Sequence, residues 1–202
     1  MDRTVLMLDV DGVLVSGRPQ DGANLFADLE ADLGVSPDVL RKRFFETYWT
    51  EVVTGKRGLL ETLAPVLADI APGLEAQVLV DYWLANDSRL DQALLADLPA
   101  LRASGMRIFL ATNQEHVRAK YLMDVLGLGA CVDGIVYSAA LGFRKPEPEF
   151  YWGANRQVGA KPRDIVFIDD NAYNVTAARK AGWAAMQWVS GMRLAAALEA
   201  AR

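Results

Sequence analysis

The amino-acid sequence predicts an α/β protein in which a doubly wound parallel sheet carries an inserted all-helical segment. In the second half of the chain, short apolar runs that favour strands alternate with segments of helical periodicity, as is typical of parallel sheets. In the first half, one such run is followed by a long stretch of helical periodicity with no convincing strand. We therefore expect a core formed by residues 1–15 and 90–202, and a helical cap formed by residues 16–89.

The first predicted strand comprises residues 4–8, a short apolar run typical of a buried parallel strand. Asp9 and Asp11 follow it. Because alternate residues of an extended chain share one face, these carboxylates repel each other unless a cation or a shared proton intervenes. Gly12 then allows the chain to leave the sheet. An acidic turn at the end of a strand explains this segment equally well on its own, so its meaning depends on residues further along the chain.

The stretch from about residue 21 to residue 88 is predicted to form a small bundle of helices. Residues 13–20, which contain a glycine and a proline, are interpreted as a hairpin or hinge leading into it. Helical periodicity is interrupted at Gly34, at residues 54–58 and at residues 71–73. The bundle contains a group of aromatic side chains that we expect to pack in its interior rather than to bind a ligand, namely Tyr48, Trp49, Tyr82 and Trp83.

The second half contains four further predicted strands, at residues 106–111, 135–137, 164–168 and 183–188. Helices are predicted around them, at about residues 94–101, 115–126, 147–158, 172–181 and 194–200. In open parallel sheets, ligands bind outside the carboxyl ends of the strands, where the topology reverses. The residues that follow these strands are therefore the candidates for a functional site.

Polar residues occur where three of the strands end. Asp9 follows the first strand, Thr112, Asn113 and Gln114 follow the second, and Asp169, Asp170 and Asn171 follow the fourth. If these strands are neighbours, the polar residues converge on one crevice. Several carboxylates cannot all remain ionised there without compensation, and oxygen ligands of this kind suit a hard cation such as Mg²⁺.

Three side chains of the chain would suit a phosphorylated ligand in the same crevice. Thr112 offers a hydroxyl and Asn113 an amide to phosphoryl oxygens, and Lys145, placed before a proline, could neutralise a bound dianion. Taken singly, each also has a structural explanation, as part of a helix N-cap or as a solvated lysine. Their joint occurrence in this order favours the ligand site.

The sequence resembles the haloacid dehalogenase-like hydrolase superfamily. Four motifs of that superfamily occur here in order: Asp9-Val10-Asp11-Gly12-Val13, Thr112-Asn113, Lys145-Pro146, and Ile168-Asp169-Asp170 with Asn174. The helical stretch between the first two motifs is similar to that of the helical-cap subfamily. Within it, the chain looks most like the small sugar-phosphate and nucleotide phosphatases. The resemblance implies a Rossmann-like core and a Mg²⁺ cofactor.

The resemblance also implies a role for each motif residue. Asp9 would be the nucleophile that forms an aspartyl-phosphate, and Asp11 would act first as general acid and then as general base. Mg²⁺ would be held by the Asp9 carboxylate, the Asp11 carbonyl and Asp169, with Asp170 close by and acting through water.

The remaining motif residues are expected to bind phosphate or to support the site. Thr112, the Asn113 backbone and Lys145 would stabilise the phosphoryl oxygens. Asn174, which replaces an aspartate seen in many relatives, would orient Asp170 or Lys145.

The predicted function is thus Mg²⁺-dependent hydrolysis of a small phosphomonoester, a sugar phosphate or a nucleotide. A phosphomutase and a catalytically idle relative that binds a protein through its cap are the alternatives. A dehalogenase is disfavoured, because a halide leaving group needs no proton and Asp11 would have no task. In the cap, Arg18, Lys56 or Arg57 is expected to contact the leaving group, with a solvated basic loop as the alternative.

Composition excludes several other classes of protein. The formal net charge of −5 leaves no basic stripe for a nucleic acid. The single cysteine, Cys131, cannot form an internal disulfide, and neither it nor the only histidine, His116, is expected to be catalytic. We see no signal peptide and no apolar run of membrane-spanning length, so we expect a cytoplasmic monomer with no membrane or nucleic-acid partner.

Overall fold

The computed structural model describes residues 4–201 and confirms the predicted fold class; the predicted core limits, residues 1 and 202, lie outside this range. Within it, five parallel strands form one sheet in the order β3-β2-β1-β4-β5. The strands are β1 (Val5–Leu8), β2 (Arg107–Thr112), β3 (Gly134–Tyr137), β4 (Ile165–Asp169) and β5 (Ala184–Gln187). All four residues of β1 are fully buried, as expected for the central strand of a sheet that is covered on both faces.

The chain between β1 and residue 89 is helical. Its helices are α1 (Leu29–Leu33), α2 (Pro37–Leu40), α3 (Glu46–Val53), α4 (Leu59–Ile70) and α5 (Ala76–Asn86). A π-helical turn at Arg41–Phe45 joins α2 to α3, so that the two run as one continuous helix. These helices bury an apolar cluster of their own. Trp83 lies inside this cluster, and its ring centre is 5.4 Å from that of the partly buried Trp49.

The first cap helix is shorter than its apolar spacing suggests. Leu25 and Phe26 pack against the cap cluster, but the chain forms turns there and the helix starts only at Leu29. The Asn24 side chain accepts the N–H of Phe26 at 2.9 Å. Such a local side-chain bond competes with the first turn of a helix, which explains the difference.

The helices of the core cover both faces of the sheet. They are α6 (Gln92–Ala103), α7 (His116–Asp124), α8 (Leu128–Cys131), α9 (Ser138–Leu141), α10 (Pro148–Val158), α11 (Ala172–Lys180) and α12 (Leu194–Ala200). Leu6 and Leu8 point into one apolar cluster and Val5 and Met7 into another, on the opposite face. Burying each such side chain stabilises the fold by roughly 1.5–3 kcal/mol. The short helices α8 and α9 were not predicted.

The two chain crossings between the sheet and the cap lie side by side. The N–H of Ser16 donates to the Arg89 carbonyl at 3.0 Å, and the N–H of Asp91 donates to the Leu14 carbonyl at 2.9 Å. These bonds hold the two crossings together, and the division into a core and a cap at residues 16 and 89 stays a prediction. None of the helices within residues 4–201 is both long and apolar enough to cross a membrane.

Candidate active site

Asp9 and Asp169 meet at the carboxyl end of the sheet, one on either side of a buried lysine. Asp9 follows β1, and its N–H donates to the carbonyl of Ile168 in the neighbouring strand at 2.9 Å. The Lys145 Nζ lies 2.8 Å from Asp9 Oδ1 and 2.6 Å from Asp169 Oδ2. Asp9 is 7% exposed, Lys145 3% and Asp169 0%. Three side chains far apart in the sequence therefore form one buried ionic cluster.

Asp169 is also held by two asparagines. The Asn174 side chain donates to both carboxylate oxygens of Asp169 at 3.1 Å, and the Asn171 N–H donates to Oδ1 at 2.8 Å. The partner of Asn174 is thus Asp169, rather than Asp170 or Lys145 as expected from the sequence. Because Asn174 carries no charge, it orients Asp169 without neutralising it.

The cluster carries more negative than positive charge. Burial raises the pKa of Asp9 well above its usual range, the charges of Asp169 and Asp11 raise it further, and Lys145 opposes them. Burial alone would lower the pKa of Lys145, but Asp9 and Asp169 outweigh this effect and raise it. The pKa of the Asp170 carboxyl is raised by burial and by Asp169. A divalent cation would compensate for the surplus charge.

The donor set fits such a cation. Carboxylate oxygens of Asp9, Asp169 and Asp170 lie within 4.8 Å of one another. Gly12, with a φ of +83°, makes room for the third of these carboxylates, because a Cβ at this position would overlap the Asp170 side chain. Oxygen-only donors of this kind suit Mg²⁺ rather than a metal that prefers nitrogen or sulfur ligands.

Thr112 and Asn113, which end and follow β2, lie beside this cluster. Thr112 is buried, and its Oγ1 accepts a hydrogen bond from Gln114 Nε2 at 3.3 Å. The Asn113 side chain donates to the Lys145 carbonyl at 2.9 Å and accepts the Lys145 N–H at 2.8 Å. The amide of Asn113 is therefore engaged with the lysine loop, and only its backbone remains for a ligand.

Asp11 is more exposed than Asp9, and two residues that the sequence reasoning did not select hold it. Its side chain is 52% exposed. Gln114 donates to Asp11 Oδ2 at 2.6 Å, and Arg118 Nη2 lies 3.3 Å from Oδ1. Gln114 was visible in the sequence as part of the polar group after the second strand. A single arginine one turn into a helix gives no such signal.

The three predicted cap residues differ in their partners. Arg18 is buried and paired with Asp21 and Asp28, and Arg57 is paired with Glu51 and stacked over the Tyr48 ring. Both guanidinium groups are thus neutralised by the cap itself.

Lys56 is exposed, and its side chain has no hydrogen bond or ion pair within residues 4–201. It lines a cavity of about 290 Å³ together with Arg57 and Glu61. The preceding Gly55 lies against the core, since a Cβ there would overlap the carbonyl oxygen of Ala139. Of the three predicted residues, Lys56 is thus the one without a carboxylate partner in the described part of the chain.

The residues that were not expected to act in catalysis lie away from this cluster. His116 is exposed on α7, and its Nδ1 is 3.2 Å from the hydroxyl of Tyr137. Cys131 is partly buried at the end of α8, and its Sγ lies 3.9 Å from the Gly127 carbonyl. Neither of these two side chains contacts the ionic cluster of Asp9, Lys145 and Asp169.

Comparison with known proteins gives consistent matches. The plasmid phosphoglycolate phosphatase of Cupriavidus necator is 29% identical over 188 residues, which are 89% of this chain and 78% of that protein. An HAD family enzyme from Bacteroides thetaiotaomicron, solved in complex with magnesium and inorganic phosphate, superposes with a TM-score of 0.79 at 16% identity, covering 96% of this chain and 98% of that one. The L-2-haloacid dehalogenase from Xanthobacter autotrophicus gives a TM-score of 0.62 at 21% identity, covering 97% and 80%.

These two structural likenesses show the fold alone, because both identities are low and the proteins differ in chemistry. The sequence match is more specific. The model of the haloacid dehalogenase-like hydrolases matches residues 4–182. Because the matched residues make up most of this chain, it belongs to the haloacid dehalogenase-like hydrolase family.

Proposed function

We propose that this hydrolase is a phosphatase that cleaves a small phosphomonoester with the help of Mg²⁺, through an aspartyl-phosphate on Asp9. The single observation that carries the proposal is the meeting of Asp9, Lys145 and Asp169, with Asp170 close enough to share a cation. The phosphoglycolate phosphatases among its relatives support the phosphatase class. Residues 16–89 would act as the cap of the enzyme.

Asp9 is suited to act as the nucleophile. Both of its side-chain contacts fall on Oδ1, which accepts the Val10 N–H at 2.7 Å and lies 2.8 Å from Lys145 Nζ. Oδ2 is therefore the oxygen available to attack phosphorus. In the first step this oxygen forms the new bond to phosphorus, while the bond between phosphorus and the leaving oxygen breaks.

Asp11 would move the proton in both steps. It gives a proton to the leaving oxygen, so that this oxygen departs as a hydroxyl group rather than as an alkoxide. In the second step it takes a proton from a water molecule whose oxygen attacks phosphorus, and inorganic phosphate leaves while the Asp9 carboxylate is regenerated. A carbon–halogen bond would need no such proton, so Asp11 favours phosphoryl chemistry over dehalogenation.

The cation would be held by the carboxylates of Asp9 and Asp169 and by the Asp11 carbonyl, with Asp170 acting through water. When bound, Mg²⁺ withdraws charge from phosphoryl oxygens and offsets the repulsion among the carboxylates. Thr112, the Asn113 backbone and Lys145 would contact the remaining phosphoryl oxygens, where charge spreads in the transition state. Asn174 would keep Asp169 in place.

Among Arg18, Lys56 and Arg57, Lys56 is the residue that would contact the leaving group. Arg18 and Arg57 already have carboxylate partners, whereas Lys56 has none within residues 4–201. An ammonium at this position favours a substrate whose leaving group carries a negative charge, such as a carboxylate. Phosphoglycolate, the substrate that the relatives' names give, has this chemistry.

The test is turnover of p-nitrophenyl phosphate, 2-phosphoglycolate and a panel of sugar and nucleotide phosphates, with and without Mg²⁺. We expect metal-dependent release of one inorganic phosphate per substrate consumed, and we expect Asp9→Asn to abolish it. Formation of an isomeric phosphate ester without free phosphate would instead identify a phosphomutase. Activity that persists in Asp9→Asn would refute the nucleophile, and the absence of turnover on all of these compounds would refute the phosphatase.

A further inference from the structure

A buried arginine lies between the proposed general acid–base and the cap. Arg118 is in the first turn of α7 and is only 1% exposed. The Glu115 side chain caps this helix and accepts the N–H groups of Val117 and Arg118, at 2.7 Å and 2.5 Å. Val117 packs against the apolar cluster of the cap. The backbone of Arg118 is thus fixed at the point where the core touches the cap.

The guanidinium group contacts two carboxylates through one nitrogen. Arg118 Nη2 lies 2.8 Å from Asp87 Oδ2 and 3.3 Å from Asp11 Oδ1. Its Nη1 is buried and has no hydrogen-bond partner within residues 4–201. The group therefore has a donor left for a second bond to either carboxylate.

Asp11 is held from two sides, although its side chain is half exposed. Gln114 donates to its Oδ2 at 2.6 Å, while Arg118 reaches Oδ1. Gln114 lies in the segment that links β2 to α7, and Arg118 lies in the first turn of α7 itself. An aspartate in a turn would otherwise rotate freely, whereas a general acid has to remain within hydrogen-bond reach of the leaving oxygen.

Asp87 belongs to the cap side of this arrangement. It directly follows α5, the last cap helix, and its side chain is largely buried. Two residues later, next to the crossing back to the core, the N–H of Arg89 donates to the Gly17 carbonyl at 3.2 Å. The closer partner of Arg118 is therefore attached to the cap, and the more distant one, Asp11, to the core.

We propose that Arg118 is a positioning residue that orients Asp11, and that Asp87 makes this orientation depend on the cap being seated on the core. The proposal rests on the function proposed above. With Asp87 in place, Asp87 and Asp11 share the guanidinium of Arg118. Asp11 is held at the longer of the two distances, so its carboxyl group can turn towards a leaving group. If the cap moved away, Arg118 would lose its closer partner and would draw Asp11 to itself, because a buried cation left without a partner is costly.

The test compares two substrates that differ in their need for an acid. p-Nitrophenolate leaves without protonation, whereas the alcohol of an alkyl phosphate needs a proton. Because kcat/KM reports the steps up to formation of the aspartyl-phosphate, Arg118→Met should lower kcat/KM for the best alkyl phosphate by about ten- to a hundredfold, within the 10²–10⁴ that general acid–base catalysis supplies. For p-nitrophenyl phosphate the loss should stay below about threefold. Asp11→Asn sets the upper limit of this selective loss.

Three further variants complete the test. Arg118→Lys should restore part of the alkyl activity, because an ammonium can still contact a carboxylate. Asp87→Asn should lower the ratio of alkyl to aryl kcat/KM in the same direction, by a smaller factor. Arg102→Met removes an arginine that is paired with Asp133 at 2.7 Å on the core surface, and it should leave the ratio unchanged.

The contrary results are equally specific. Equal losses on both substrates in Arg118→Met would overturn the positioning role, and a wild-type ratio in Asp87→Asn would overturn the link to the cap. If Arg118→Met does not fold, the double variant Arg118→Met/Asp87→Leu removes both charges together, and the same comparison decides. A wild-type enzyme that hydrolyses neither substrate would instead refute the proposed function, and not this inference specifically.

Discussion

Asn113 and Lys145 are joined by two reciprocal hydrogen bonds across 32 residues of sequence: the Asn113 side chain donates to the Lys145 carbonyl at 2.9 Å, and its oxygen accepts the Lys145 N–H at 2.8 Å. The end of β2 therefore fixes the backbone of the loop whose ammonium reaches Asp9 and Asp169. The Lys145–Pro146 peptide bond in this loop is cis. Asn113, which was expected to bind the substrate, thus also holds the Lys145 ammonium in position.

Replacing Asn113 with alanine should impair catalysis more than stability. Each lost hydrogen bond contributes about 1 kcal/mol to folding. A displacement of Lys145 by about 1 Å, however, could cost about 10²-fold in turnover. We expect kcat to fall by at least about tenfold, as measured on p-nitrophenyl phosphate together with thermal unfolding.

The matched control for this variant is Asn155→Ala. Asn155 accepts the indole N–H of Trp183 at 2.8 Å, away from the acidic cluster. The Asn155→Ala variant loses one side-chain hydrogen bond where Asn113→Ala loses two, so it should lower stability by about half as much and leave kcat near the wild-type value. A kcat for Asn113→Ala equal to that of Asn155→Ala would contradict the positioning role of Asn113.

Removing the divalent metal should abolish activity and lower stability together. Chelation leaves the carboxylates of Asp9, Asp169 and Asp170 without compensation. A cation that binds only the folded state stabilises it by about 2.7 kcal/mol when present at 100 times its Kd. We therefore expect Mg²⁺ to raise the unfolding temperature of the chelated protein and to restore turnover.

Asp169→Asn separates the metal site from other effects of Mg²⁺. This variant removes one of the three clustered carboxylates. Because a charged ligand is lost, the Mg²⁺ concentration needed to raise the unfolding temperature should increase by at least about tenfold. Asp97→Asn, an exposed substitution on α6, serves as the control. A wild-type response to Mg²⁺ in Asp169→Asn would argue against this site.

Stability should depend on pH through Asp87. Burial raises the pKa of Asp87 to about 6, partly offset by Arg118, and the charge of Asp11 adds to the rise. In the unfolded chain, the pKa of an aspartate carboxyl is about 4. Between these values the folded state binds more protons than the unfolded state, so the Asp87 contribution is fully present below pH of about 4 and is lost as the pH rises through about 6.

The measurement is the free energy of unfolding at pH 4.5 and pH 7 in wild type and in Asp87→Asn. The wild-type value should fall by roughly 1–3 kcal/mol more than that of the variant over this interval, given about 1.4 kcal/mol per unit of pKa shift. Asp97→Asn should follow the wild type. Parallel pH profiles for wild type and Asp87→Asn would show that burial does not shift the pKa of the Asp87 carboxyl.

Lys56→Ala should act on substrate choice. Lys56 has no carboxylate partner within residues 4–201, whereas Arg57 is paired with Glu51. One charge-assisted hydrogen bond contributes roughly 1–2 kcal/mol to binding. Because this bond is lost, we expect KM for 2-phosphoglycolate to rise by about tenfold. KM for p-nitrophenyl phosphate should change little. Arg57→Ala is the comparison, and a larger effect in that variant than in Lys56→Ala would reverse the assignment.

The sequence by itself determined the alternation of strands and helices and the acidic residues that end the strands. Hydrophobic periodicity and turn residues act over a few positions, so they can be recognised without a partner elsewhere in the chain. Asp9 is recognisable in this way because it follows an apolar run, and Asp169 for the same reason. Where a local side-chain bond competes with periodicity, as Asn24 does before α1, the helix is shorter than its apolar spacing suggests.

Only the tertiary structure decided which polar side chains meet. Arg118 lies in α7 and Asp87 follows α5, and nothing in their own segments indicates that they contact each other or that Arg118 also reaches Asp11. The same holds for the pairing of Arg18 with Asp28, which commits that arginine to the cap. Such contacts depend on how distant elements pack together. The burial that strengthens the pair of Arg118 and Asp87 exists only in the folded chain.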